Sequence, residues 1–197
     1  MPTSLSLRRL ARRRFLALVP AGLALAALPA SALAAGAAED YVESVGNRVI
    51  AAARAKSVSQ FRSLLRANAD IRAIGLYSLG PYRKSLTKNV QSEYFSLVEG
   101  YISKIFAQNA KKLAGQKLVT TGTKDAGDSV LVRSELQFSG GGGYPVTWRL
   151  VKRGGGFRIF DVNVDGVWLA STQKTNFVSV LKKSGGKIEA LLDYLRQ

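Results

Sequence analysis

The chain has 197 residues, 29 of them Lys or Arg against 13 Asp or Glu, for a net charge of +16, and it contains neither Cys nor His. Those two absences remove disulfides, thiol nucleophiles, imidazole bases and the usual nitrogen and sulfur ligands of zinc. Any chemistry must rest on carboxylates, hydroxyls, amines or apolar surface.

Residues 1–34 read as an export signal. Arg8, Arg9 and Arg12 to Arg14 form a basic start, and Phe15 to Leu28 is an apolar run broken by Pro20 and Gly22. Ala30-Ser31-Ala32 and Ala32-Leu33-Ala34 are small-residue patterns of the kind a signal peptidase accepts. The apolar run is shorter than the about 20 residues that a membrane-spanning helix needs. Arg12-Arg13-Arg14-Phe15-Leu16 resembles the twin-arginine export motif. A bacterial periplasmic location is therefore expected. The signal takes five basic and no acidic residues, which leaves residues 35–197 as a single predicted domain of 163 residues with 24 basic and 13 acidic side chains, a balance of +11.

Along the chain, residues 39–54 place Tyr41, Val42, Val45, Val49, Ile50 and Ala53 at spacings of three and four, which predicts an amphipathic helix. Ser57 to Ala67 repeats the pattern, and Asp70 is placed to cap a short helix through Leu76. Leu79-Gly80-Pro81-Tyr82 interrupts, because Gly ends helices and Pro cannot continue one from within. A long helix is predicted from Thr87 to Leu113, with Val90, Tyr94, Val98, Tyr101, Ile105 and Phe106 on one stripe. Phe95, Leu97 and Ile102 widen that stripe beyond what one neighbour needs.

From Lys117 the period becomes two. Leu118–Thr123, Ser129–Phe138, Tyr144–Lys152 and Phe157–Val164 are predicted as four strands, the last three joined at hairpin spacing by glycine runs. Thr172–Leu181 and, after Gly185-Gly186, Ile188 to Leu195 are amphipathic helices. Helices, an antiparallel meander, then helices make an α+β domain. In the last strand the apolar residues change parity: Phe157 and Ile159 on one side, Phe160, Val162 and Val164 on the other. Side chains alternate along a strand, so apolar surface is expected on both faces. The same pattern serves a closed core or a gap that takes an apolar guest.

The reactive candidates are sparse. Gly140–Gly143 and Gly154–Gly156 lie between strands as turns, without the strand, helix, Lys and Ser/Thr context of a phosphate loop. Asp161, Asp165 and Glu135 suggest a carboxylate pair, but Arg149 and Arg158 stand ready as partners. No catalytic residue, metal site or cofactor is expected. Lys and Arg are scattered, with no run longer than two after the signal, so nucleic acid is not an expected partner. A basic surface that meets an acidic protein or makes transient contact with anionic lipid headgroups is.

Two segments resemble the MlaC family, the soluble periplasmic phospholipid carriers of the maintenance-of-lipid-asymmetry pathway. One is Leu79-Gly80-Pro81-Tyr82 with Thr87, Tyr94, Val98, Tyr101 and Phe106-Ala107. The other is Phe160-Asp161-Val162-Asn163-Val164-Asp165-Gly166-Val167-Trp168-Leu169, followed by Lys174 and Phe177. Arg83 and Trp168 depart from the family's Trp and Ser at those places, and Lys88-Asn89-Val90-Gln91 from its Pro-Glu-Gln-Arg. The resemblance implies a twisted sheet and helices enclosing a hydrophobic pocket for phospholipid acyl chains. Its implied partners are an inner-membrane lipid ABC transporter complex and an outer-membrane lipid-handling complex. The pocket wall is expected at Tyr82, Tyr94, Val98, Tyr101, Ile105, Val132, Leu136, Trp148, Leu150, Phe160, Val162 and Val164. The alternatives are a hopanoid or other sterol-like cargo in the same fold, or a ligand-free basic docking module.

Overall fold

The computed structural model describes residues 30–114 and 117–197, so the expected export signal lies outside the described residues except for its last five positions. Helix α1 (Ala30–Arg54) is followed by α2 (Val58–Asn68) and α3 (Ile71–Ser78). The Ser57 hydroxyl and the Asp70 carboxylate accept the N–H groups of Gln60 and Ala73, so both helices start on side-chain caps. Gly80, at φ +52°, and Pro81 turn the chain into a 3₁₀ segment, Gly80–Ser85.

The helix predicted over residues 87–113 is in three pieces: a 3₁₀ turn at Lys88–Val90, α4 (Gln91–Gln108) and α5 (Ala110–Leu113). Asn109 makes the second break. Its side-chain Nδ2 and its backbone N–H both donate to the Ile105 carbonyl, so the side chain competes for the bonding that would carry the helix on.

The sheet is an antiparallel meander of β1 (Lys117–Asp125), β2 (Ser129–Gln137), β3 (Gly143–Arg153), β4 (Gly156–Val164) and β5 (Val167–Trp168). It has five strands where four were expected. The fifth forms because Asp165 (φ +49°) and Gly166 (φ +85°) are both left-handed and make a two-residue hairpin turn that pairs Val164 with Val167. Helices α6 (Leu169–Lys183) and α7 (Ile188–Arg196) complete the fold.

The parity change in β4 has a different cause from the one expected. Arg149 pairs with Asp161, but the next residue, Leu150, pairs with Ile159, which leaves Phe160 as an extra residue in a β-bulge. The bulge resets the alternation. Phe157, Ile159, Val162 and Val164 therefore oppose Lys152, Leu150, Trp148 and Val146 in register and gather in one apolar cluster with α1. Only Phe160 leaves that cluster, its ring meeting Tyr77 of α3 edge-on at 5.5 Å between centroids. The Ile159 carbonyl beside the bulge accepts the Asp70 N–H at 2.9 Å, which ties the α2–α3 junction to the sheet.

Three buried clusters result. One joins α1 to the inner face of the sheet, one joins α3, α4, α6 and α7 around Tyr94, Leu79 and Phe177, and a small one joins α1, α2 and α5 around Phe61. Glu43 and Glu39 hold α1 to the edge strand by accepting the Thr120 and Thr123 hydroxyls at 2.8 and 2.7 Å. Among the described residues no helix is long and apolar enough to cross a membrane.

Candidate binding cavity

The three clusters do not close on one another. Between them is a cavity of about 150 Å³, the size that takes a guest of roughly six carbon atoms. The sheet supplies its floor through Leu118, Leu136, Val146, Trp148, Ile159, Val162 and Val164. Helix α1 covers it with Val45, Gly46, Val49 and Ile50. The side walls come from Phe61 and Leu64 of α2, Ile102, Ile105 and Phe106 of α4, and Leu169 and Ala170 of α6.

Gly46 explains how α1 sits so low over β1. A Cβ at that position would clash with Leu118 Cδ2, so a larger residue would push the helix or Leu118 away. The opposite wall is held by charge. Arg62 and Arg66 of α2 donate to the buried Glu99 carboxylate of α4 at 2.6 and 2.7 Å. Burial works against the Glu99 charge, but the bonds from Arg66 and Arg62 outweigh it and hold the carboxyl below its ordinary range.

Six of the expected wall residues line the cavity: Ile105, Leu136, Trp148, Phe160, Val162 and Val164. The other six lie elsewhere. Val132 and Leu150 are sealed within the α1–sheet cluster, at 0% exposure. Tyr94 and Val98 are equally sealed among the helices, where the Tyr94 hydroxyl donates to the Gly75 carbonyl at 2.8 Å. Tyr101 shares a hydrogen bond of 2.7 Å with Tyr194, and Tyr82 packs over Gly186. The stripe on α4 is broad because it serves the cavity at Ile102, Ile105 and Phe106 and the helical core at Tyr94, Val98 and Tyr101. Periodicity marks such a stripe without dividing it.

The α1 and α2 lining was missed. One legible signal was Gly46, since a glycine inside a helix costs about 1 kcal/mol against alanine and implies a close approach. For β5 the signal was Asp165-Gly166, the residue pair that a two-residue hairpin turn favours.

Asp161 is engaged by the backbone. It is 5% exposed, and its Oδ1 accepts the N–H groups of Val162 and Ala170 at 2.8 Å each, securing the start of α6 beside the cavity. Burial raises its pKa above the ordinary carboxylate value, against those bonds and the nearby Arg149 charge. The stability this raised pKa confers is present below the unfolded value of about 3.9 and is lost as pH rises through the folded one. Asp161→Ala, which strips the α6 N-terminus of its acceptor, is expected to cost about 1–2 kcal/mol. Asp161→Asn keeps an acceptor without the charge. It is expected to stay closer to wild type at pH 7 and to flatten this part of the stability-versus-pH curve, as read by urea unfolding at a series of pH values.

The family model for the MlaC protein matches residues 41–197, nearly all of the described chain. The chain belongs to the MlaC family. A solved structure of similar fold is the phospholipid-binding protein from Ralstonia solanacearum in complex with a phospholipid, with a TM-score of 0.69 and 21% identity over 81% of this chain and 94% of that one. No curated protein matches the chain. Of the departures from the MlaC pattern, Trp168 has a visible role, since the Arg149 guanidinium stacks on its ring at 4.6 Å. Trp168 does not line the cavity, so it gives no reason to expect a sterol-like cargo.

Proposed function

We propose that this MlaC-family protein is a periplasmic lipid carrier that holds the apolar part of a lipid in its central cavity and shuttles lipid between the outer membrane and an inner-membrane transport complex. The observation that carries this reading is the cavity itself, an apolar space of about 150 Å³ bordered by helices α1 to α6 and the sheet. A cavity lined in this way stays dry and favours an apolar guest. The phospholipid in the Ralstonia solanacearum protein of similar fold supports the same class of cargo.

The volume sets a scale. Roughly six buried methylenes at about 0.8 kcal/mol each give about 5 kcal/mol before the cost of association. That is marginal against the association cost, and two long acyl chains do not fit the space as it stands, so a diacyl cargo requires the walls to part. Nothing in the arrangement calls for catalysis, since the lining is apolar and its one carboxylate is committed to α6.

Docking has support in the distribution of charge. Residues 71–92 and 166–188 contain no Asp or Glu. They pack together, with Gly80 against Val178 and Lys174, and expose Arg83, Lys84, Lys88, Lys182, Lys183 and Lys187. Such a face suits an acidic partner or an anionic membrane surface.

Native mass spectrometry of protein purified from the periplasm, repeated after organic extraction, tests the carrier reading. A lipid mass bound near one to one is the expected result. Bare polypeptide that also takes up no added lipid would make the basic docking module the better account.

A further inference from the structure

Four side chains with a hydrogen-bonding group line the otherwise apolar cavity: Asn68, Trp148, Asp161 and Gln173. Three of them are satisfied within the protein, Trp148 by donating its indole N–H to the Ser134 hydroxyl at 2.9 Å. Asn68 Oδ1 accepts from Arg48 Nη2 at 3.2 Å, and its Nδ2 donates to the Leu64 carbonyl at 2.7 Å. Asp161 receives the backbone N–H groups of Val162 and Ala170.

Gln173 is different. Its Oε1 is closed off from solvent and has no hydrogen-bond partner, the one such side-chain atom among the described residues. A buried amide oxygen in this state has given up its hydration for nothing, and native structures rarely keep one without a use. Leucine at this position would remove the penalty and favour the helix as much. Gln173 follows Ala170 by three positions on α6, so the two share a helix face, and both line the cavity. A donor placed in that space would therefore satisfy it.

The chemistry of the donor is narrowed by its surroundings. Hydrocarbon and ester groups have no hydrogen to offer. An ammonium group would enter a cavity whose single carboxylate is already engaged, leaving its charge unpaired in apolar surroundings. A hydroxyl supplies the hydrogen without a charge.

We propose that the cavity takes a lipid with a hydroxyl group beside its apolar chain, and that Gln173 binds that hydroxyl and selects for it. The proposal rests on the lipid-carrier reading and deepens it. Gln173 is a specificity-determining residue of the site, and the remaining lining supplies affinity without discrimination.

The test uses two isomeric probes sized to the cavity, n-hexanol and methyl pentyl ether, which differ in whether the oxygen carries a hydrogen. NMR titration reads the affinity of each for the purified protein, for Gln173→Leu and for Gln173→Met. The ratio of alcohol to ether affinity is expected to be about fivefold lower in both variants than in the wild type. An unchanged ratio, with both probes still bound, would overturn the role of Gln173 and leave the carrier reading intact. If neither probe binds the wild type, the cavity is not a lipid site and both readings fall.

Discussion

Val162→Trp is expected to abolish bound lipid and leave the protein folded. Val162 is half-buried on β4, on the same face as Trp148, and its side chain borders the cavity. An indole there has existing space to enter, so it fills the cavity without forcing apart packed side chains. Native mass spectrometry should show the lipid-bound fraction reduced by about tenfold or more, equivalent to about 1.4 kcal/mol. The unfolding free energy read by urea titration should fall by less than about 1 kcal/mol, the lower end of the overpacking range. Val162→Ala, which enlarges the space, should keep its lipid. A full lipid load in Val162→Trp would sink the assignment of this cavity. Val132 cannot serve the same test. It is fully buried opposite Trp148 in register, so a large or charged side chain there would break the core.

Leu150→Ala should have the opposite profile, a large loss of stability with the lipid load per folded molecule unchanged. Leu150 is 0% exposed and lies between Val130 on β2 and Ile159 on β4. Truncating a leucine in such a site costs about 2–5 kcal/mol, from lost transfer energy and from the void left behind. Against a typical total of about 5–15 kcal/mol this is a large fraction. Urea unfolding measures the loss, and lipid analysis of the folded fraction checks the second half of the prediction. Loss of lipid without loss of stability would place Leu150 in the binding site, contrary to its burial. Together the two substitutions separate what a strand's apolar face does for the fold from what it does for the cavity.

The boundaries of α2, α3 and the first four strands were legible because their signals are local. Ser57 and Asp70 are caps that act within three residues, and period-two alternation reports a strand from its own side chains. The cavity was legible only by halves. Its floor at Leu136, Trp148, Val162 and Val164 was expected, but its cover at Val45, Val49 and Ile50 carried only the ordinary pattern of an amphipathic helix.

The sequence alone settled the α+β class, the absence of sulfur and imidazole chemistry, and the resemblance to the MlaC family, since composition, period and motif order need no partner to be read. The tertiary structure decided what each apolar face meets. Phe157–Val164 looked two-faced until β3 supplied the register that makes Phe160 a bulge. Leu150 and Trp148 share parity on one strand, yet one is sealed and the other borders open space. Periodicity states which side of an element is apolar, whereas a cavity is a property of the gap between elements, set by how far Gly46 lets α1 descend and by where Glu99 holds α2 against α4.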